Sequence, residues 1–383
     1  MKIKNRTNVT NVKPLTPRLE TRRSIKHLFI PALSGVCFYA FVFWAVSIRP
    51  NMNNKPNNKP LDIENTIQRK QCNSVYYWKT VFTLNEEEKQ WLADHNIERM
   101  YIRYFDVTES FSEEGDYAYT PVPKATIRFV DTVPASLEIV PTVFIDNIVF
   151  RYNLDMMAYV ERLVNRILVM SETNDIGNIS EVQLDCDWTW YTQANWFAFA
   201  KAVRKELSKH KIILSATIRL HQLNMQPPPV DCGVLMCYNT SGLSNYFTKN
   251  SILCAEDVSP YSKYLQSYKL PLDIAYPTFS WAVWFDKYER FQALLRDITP
   301  ENANLKKRDG NRYTVKNGFY QNEEYIAAGS EIRFEFSDFS EIIKCKQMLE
   351  PKLKNYSVIL YHLDNKNLSK YTTDEINEIY TRK

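Results

Sequence analysis

Glycine and histidine are scarce, with 8 Gly and 5 His in 383 residues. A phosphate- or dinucleotide-binding loop needs glycines so that backbone N–H groups can approach the phosphates, and no strand pattern here leads into such a turn. A Rossmann-like half is therefore not expected. Seven cysteines stand at 37, 72, 186, 232, 237, 254 and 345, with no Cys-x-x-Cys and no Cys/His cluster at ligand spacing. No metal site and no cofactor is expected. Basic charge is nearly confined to one end: residues 1–27 hold eight Lys/Arg against Glu20, so the formal +4 of the whole becomes −3 for the remainder. A mildly acidic body has no electrostatic footprint for nucleic acid.

What is present begins with Leu28 to Ile48, which has no charged residue in 21 positions. At about 1.5 Å per residue this reaches across a hydrocarbon core of about 30 Å. The positive-inside rule then puts residues 1–27 in the cytoplasm as a basic tail and the rest outside. The expected location is the inner membrane, single-pass, with the C-terminal domain in the periplasm and the lipid bilayer as a partner through residues 28–48. Ala45-Val46-Ser47 also fits a cleavage site, but the basic region and the apolar run are both long for a signal peptide, which favours an uncleaved anchor. Residues 49–71, rich in Asn, Pro and Lys, read as a flexible linker. In an oxidising space Cys232 with Cys254 is an open pairing, whereas Cys186 and Cys237 lie on buried-strand patterns and read as small core residues.

From residue 72 to 383 strand and helix patterns alternate. Strands are expected at Val75–Phe82, Arg99–Val107, Ile139–Asp146, Glu181–Trp188, Ile213–Gln222, Gly233–Asn239, Leu272–Trp281 and Val358–Asp364. Helical spacing marks Leu154–Met170, Thr192–Ser208, Ala255–Tyr268, Tyr288–Leu295 and Ser337–Leu349, and Asn85 with Glu88 makes a capping box. Eight strands separated mostly by helices predict an α/β fold, a (β/α)8 TIM barrel. A polar stretch at about 297–336, with a hairpin expected at RYTV-KNG-FYQN, is a small insertion after strand seven. A competing count makes EIRFEFS a barrel strand in place of VYYWKTVF.

The stretch EVQLDCDWTW carries the chemistry. At strand period Val182, Leu184 and Cys186 share one face while Gln183, Asp185 and Asp187 share the other, so two carboxylates point inward. Ser215, Thr217, Arg219 and His221 are the inward face of the next strand. Functional groups of such barrels collect at the carboxyl ends of strands, where Asp106, Asp146, Asp185, Asp187, Arg219, His221, Tyr238, Asn239, Trp281, His362 and Asp364 fall. Paired carboxylates suit glycosidic chemistry, and Trp78, Tyr238 and Trp281 suit stacking on a sugar ring. The bland alternatives are a salt-bridge network of Asp185 and Asp187 with Arg219 that fills the barrel, and aromatic core packing. Asp-x-Asp is also a glycosyltransferase motif, which would need the missing Rossmann half.

LDCDW resembles the strand-four signature of the family 18 chitinase-like barrels, D-G-x-D-x-D-W-E, and Met236-Cys237-Tyr238 is similar to their strand-six Met-x-Tyr. DIAYPTFSW resembles their strand-seven segment, and the run from about 75 to 365 also resembles an exported glycosidase-like family of Bacteroidetes. The resemblance implies Asp185 and Asp187 as the inner aspartates, Tyr238 as a sugar contact and Trp281 as the stacking residue. Val182 and Gln183 replace the first Asp-Gly, and Thr189 stands where the family has its catalytic Glu. A Thr hydroxyl cannot protonate a leaving oxygen near neutral pH. The expectation is a membrane-anchored glycoside hydrolase-like protein acting on a glycan or oligosaccharide. Asp187 is its leading acid, Asp185 the modulator, and Arg219, His221, Tyr238, Trp281, Trp78 and Asp106 bind substrate. The alternative is a non-catalytic carbohydrate-binding or envelope-assembly protein on the same barrel.

Overall fold

The computed structural model describes residues 70–111, 119–151, 156–177, 179–321 and 323–382. At its centre eight parallel strands form a ring: β1 (Asn73–Tyr77), β2 (Ile97–Phe111), β3 (Glu138–Ile145), β4 (Glu181–Cys186), β5 (Ile213–Arg219), β6 (Cys232–Met236), β7 (Leu272–Pro277) and β8 (Val358–Tyr361). Neighbours in the ring are neighbours in the chain, and β1 pairs with both β2 and β8. Closure leaves the ring without an open edge, as the expected barrel requires.

Helices α1 (Glu86–Asp94), α2 (Met157–Thr173), α3 (Gln193–Ser208), α4 (Phe339–Leu349) and α5 (Thr373–Tyr380) connect the strands or follow the last of them. Helix α1 starts at the expected capping box, in which Asn85 and Glu88 each accept the other's backbone N–H. Helix α3 buries Trp196, Phe199, Ala200, Val203 and Leu207, the residues its periodicity picks out. Two connections depart from the simple alternation. Among the described residues no helix lies between β2 and β3; β2 instead runs beyond the ring and pairs antiparallel with Tyr119–Lys124. After β5 the chain makes only a 3-10 turn, Leu220–Asn224.

Several expected elements are corrected. Strand β1 ends at Tyr77, and Val81–Phe82 is a separate short strand against Arg128–Phe129. Ala255–Val258 is helical but continues as a 3-10 helix, Ser259–Ser267. Strand β7 ends at Pro277, and Ser280–Phe285 opens an antiparallel insertion sheet. That sheet runs in the order Phe291–Leu295, Ser280–Phe285, Glu331–Phe336, Arg312–Val315, Leu305–Asp309. Phe291–Leu295, expected as helix, is therefore a strand whose N–H and C=O groups pair with Ser280–Phe285. EIRFEF belongs to this sheet and VYY to the ring. The expected RYTV/FYQN hairpin does not form, because Arg312–Val315 pairs with strands on both its sides while Phe319–Gln321 pairs with Glu324–Ile326.

Cys232 and Cys254 form no disulfide. Cys232 begins β6 at one end of the ring, whereas Cys254, whose N–H donates to Thr240 Oγ1 at 3.1 Å, follows the loop beyond the other end. The basic tail, the apolar span and most of the linker lie outside the described residues. No described helix is long and apolar enough to cross a membrane.

Two buried ion pairs fasten the added parts to the ring. Arg333 and Glu335 of the insertion sheet are both fully buried and paired. Arg333 donates to the carbonyls of Leu243 (3.0 Å), Asn245 (2.9 Å) and Tyr246 (3.1 Å), and Glu335 accepts from Ser251 N–H (3.0 Å) and from Trp281 Nε1 (2.6 Å). Lys346 of α4 pairs with Glu350 at 2.7 Å, again fully buried, and also donates to the carbonyls of Ile379 (2.7 Å) and Thr381 (3.1 Å). Glu350 in turn accepts from the hydroxyls of Tyr276 and Tyr356, each at 3.0 Å. Removing one member of such a pair strands the other in a medium that cannot hydrate it. Lys346→Met is expected to destabilise the fold by about 3–5 kcal/mol, and adding Glu350→Gln should recover part of that loss. Urea midpoints of the two variants check the ordering.

Candidate functional site

All six residues of β4 are buried. Val182, Leu184 and Cys186 pack outward, while Gln183 and Asp185 enter a polar layer inside the ring. The Tyr76 hydroxyl donates to Gln183 Oε1 at 2.7 Å, and Gln183 Nε2 donates to Ser215 Oγ at 3.5 Å. One step along, Thr217 Oγ1 (2.6 Å) and Arg219 Nη2 (3.1 Å) both donate to Asp185 Oδ1. The two-residue period of β4 and β5 thus stacks a hydrogen-bonded layer below a charged one.

Asp187 lies one residue beyond β4. Its carboxylate is 60% exposed and stands 3.6 Å from Arg219 Nε, an ion pair without a hydrogen bond. Burial opposes the charge on Arg219, but Asp185 and Asp187 hold its guanidinium above the ordinary arginine value. One half-buried cation therefore joins a buried carboxylate to an exposed one.

Asp106 reaches the same region from β2. A register shift between Arg103 and Phe105 breaks strict alternation. Arg103 Nε donates to Asp106 Oδ1 at 2.7 Å, and its Nη2 donates to the second oxygen. Burial lifts the Asp106 carboxyl above the usual range; Arg103 opposes this, and Asp185 and Asp146 add to it. Asp146 and Asp364 serve as helix caps, accepting from the N–H groups of Ile148 and Asn367 at 3.1 Å each.

Aromatic rings fill the axis of the mouth. Tyr361 stacks on Tyr238 with centroids 5.0 Å apart, and packs against Tyr76 at 5.5 Å, Trp78 at 5.6 Å and Phe279 at 5.8 Å. All five are buried. Trp78 and Tyr238 are thus members of a plug, with Arg103 over the Trp78 ring at 5.7 Å and the Tyr238 hydroxyl donating to Met236 Sδ at 3.3 Å. Trp281 is displaced from its expected place at the end of strand seven: it lies in the insertion sheet, bonded to Glu335 and packed on Phe279 at 5.1 Å. His221 also leaves its expected strand, because β5 stops at Arg219 and His221 falls in the following 3-10 turn; the residue is exposed, yet burial of its imidazole holds it below the ordinary histidine value, with Asp187 opposing and Arg219 adding to the shift.

Thr189 is bound into a turn. Its N–H donates to Thr192 Oγ1 at 2.9 Å, whose hydroxyl donates to Asn147 Oδ1 at 2.6 Å, and Thr189 O accepts from the N–H groups of Thr192 and Gln193. Gln222 Nε2 ties the preceding carbonyl, that of Trp188, to the β5 side at 2.9 Å. Sequence reasoning missed Arg103, Tyr76, Tyr361 and Glu109. Arg103 and Tyr76 lie on inward strand positions that alternation marks; Tyr361 looks like core and gives no signal. The Glu109 carboxyl, raised by burial and by Asp146, has a buried Oε2 with no hydrogen-bond partner among the described residues.

No family model and no curated protein matches the sequence. Among solved structures, the chain resembles the spore cortex-lytic enzyme of Bacillus megaterium (10% identity, 82% of this chain and 74% of that one, TM-score 0.48). It also resembles a chitinase from Chromobacterium violaceum (11%, 82% and 100%, 0.46) and a family 18 chitinase from Flavobacterium johnsoniae (11%, 82% and 94%, 0.45). Likeness at this level transfers no residue role and no activity.

Two variants separate the carboxylates. Asp185→Ala leaves the half-buried Arg219 without its hydrogen-bonded partner and is expected to cost about 2–3 kcal/mol, whereas Asp187→Ala at the exposed end costs no more than about 1 kcal/mol. Chemical denaturation of both tests the contrast. His362, beside β8, is held near a pKa of about 4, below its ordinary 6.5, by burial and by Lys79, with Asp364 opposing. The unfolded chain takes up this proton first as pH falls, so the stability is present above about 6.5 and lost on the way down to about 4. Relative to wild type, His362→Gln should remove up to about 3 kcal/mol of acid sensitivity across that window. Unfolding free energies at both ends of the window measure it.

Proposed function

We propose that this chain is a glycan-binding protein on a glycoside-hydrolase-like barrel, holding its ligand at the carboxyl end of β4 and β5. The observation that carries the reading is the division of labour among the acids. Asp185 and Asp106 are committed to arginine partners inside the wall, Thr189 stands where the resembled family keeps its acid, and Asp187 faces solvent with one long ion pair. An exposed carboxylate and histidine beside a rigid barrel rim suit hydrogen bonds to hydroxyl groups. They do not make the acid and nucleophile pair that glycosidic cleavage requires.

Hydrolysis is the second reading, and one observation favours it. The Asp106 carboxyl is raised above its usual range by burial, in the same mouth as the exposed Asp187, and a raised carboxyl is what a general acid needs. Residues 28–48 anchor the protein in this proposal, and the barrel works on the outer side of the inner membrane, where glycans are met. The reading rests on the basic tail and the uncharged run of 21 residues.

Asp187→Asn divides the two. With a panel of oligosaccharides, wild type is expected to bind without releasing reducing ends, and the variant to bind at least fivefold more weakly. Release of reducing ends by wild type that disappears in Asp187→Asn would replace binding by hydrolysis.

A further inference from the structure

The turn that replaces the usual acid presents two aromatic rings to water. Trp190 is 68% exposed and Tyr191 is 94% exposed, and neither has a ring contact among the described residues. Of the tryptophans described, Trp190 alone is exposed. Their position is fixed from both flanks. Before them, Trp188 is fully buried, with its ring edge-on to Phe197 at 5.3 Å and its carbonyl held by Gln222. After them, Thr192 closes the turn onto Thr189 and Asn147. The apex is therefore a short rigid ledge carrying apolar surface that folding does not bury. Large aromatic faces presented in this way are a common means of gaining contact area at low entropic cost.

The ledge lies off the barrel axis. Along the axis, Tyr76, Trp78, Tyr238, Phe279 and Tyr361 are spent on one another, so no buried ring of that plug offers a face to a ligand. Asp187 lies three residues before Trp190, and His221 follows the neighbouring strand beside the same turn. An occupant must therefore offer a flat apolar face to the rings and hydroxyl or amine donors to a carboxylate. An added negative charge would be repelled by Asp187.

We propose that Trp190 and Tyr191 form a stacking ledge for a pyranose ring of a neutral or amino sugar, outside the plugged axis, with Asp187 and His221 hydrogen-bonding its polar edge. The proposal rests on the glycan-binding reading above and adds the residues, the place and the ligand charge. Asp187 disfavours uronate-rich chains.

The test uses the full chain in detergent, with neutral gluco- and manno-oligosaccharides, N-acetylglucosamine and glucosamine oligomers, oligogalacturonate and anionic lipid vesicles. Acrylamide quenching of tryptophan emission, taken as the difference between wild type and Trp190→Phe, reads Trp190. A neutral or amino-sugar oligomer should protect it from quenching, with no protection by oligogalacturonate. Trp190→Ala and Tyr191→Ala should each weaken binding about tenfold, and Trp190→Phe should restore most of it. Wild-type binding that survives both alanine substitutions but falls in Asp187→Asn overturns the ledge and leaves the glycan-binding reading standing. Absence of binding to every sugar by wild type overturns both. Protection by vesicles alone, lost in Trp190→Ala, overturns the ledge as a sugar site in favour of a lipid contact.

Discussion

A guanidinium confined inside a closed barrel has to be matched, and the mouth of this protein is arranged around that need. Arg219 donates to Asp185 at 3.1 Å within the wall and stands 3.6 Å from Asp187 at the rim. The inner carboxylate cannot be given up without stranding the cation, and the outer one remains accessible because the inner one already satisfies most of the charge. Arg103 repeats the arrangement on β2 with Asp106. Between the two arginines the plug of aromatic rings keeps water off the axis, which is what makes each pairing costly to break.

Much of the ring was legible because its physics is local. Period-two alternation in VQLDC and in ILSATIR separates an outer apolar face from an inner polar one, and the inner residues do meet across β4 and β5 as Gln183 with Ser215 and Asp185 with Thr217. The capping box at Asn85 and the apolar stripe of α3 are likewise short-range signals. What failed was governed by partners far away in sequence. Phe291–Leu295 has helical-looking spacing, yet Ser280–Phe285 offers it a row of backbone partners and it becomes a strand. Arg312–Val315 forsakes the adjacent hairpin for the same reason.

At the site, residue types were easier to read than their roles. Trp78 and Tyr238 carry the same side chains whether they stack on a sugar or on each other's neighbours, and only packing distinguishes the two. The β2 bulge brings Arg103 and Asp106 together three residues apart, a pairing that alternation forbids and no local pattern announces. Where a strand stops is similarly hidden: β5 ends at Arg219, so His221 belongs to a 3-10 turn and not to the inward face of a strand. Trp190 and Tyr191 are apolar residues in a run of aromatics, and sequence gives no sign that one neighbour, Trp188, is buried while they are not.

The tie between Lys346 and the carbonyls of Ile379 and Thr381 bears on when this fold can be completed. Strand β8, which closes the ring against β1, spans 358–361, so the first strand made must wait for nearly the last. An ammonium group placed in the core by residue 346 then has to be matched by carbonyls more than thirty residues later. A chain that reaches β8 but stops short of residue 379 can close the ring, yet it leaves the Lys346 ammonium without two of its carbonyl partners. Closing the ring and matching this ammonium both wait on residues far along the chain from β1, so the barrel cannot be completed strand by strand from its first strand.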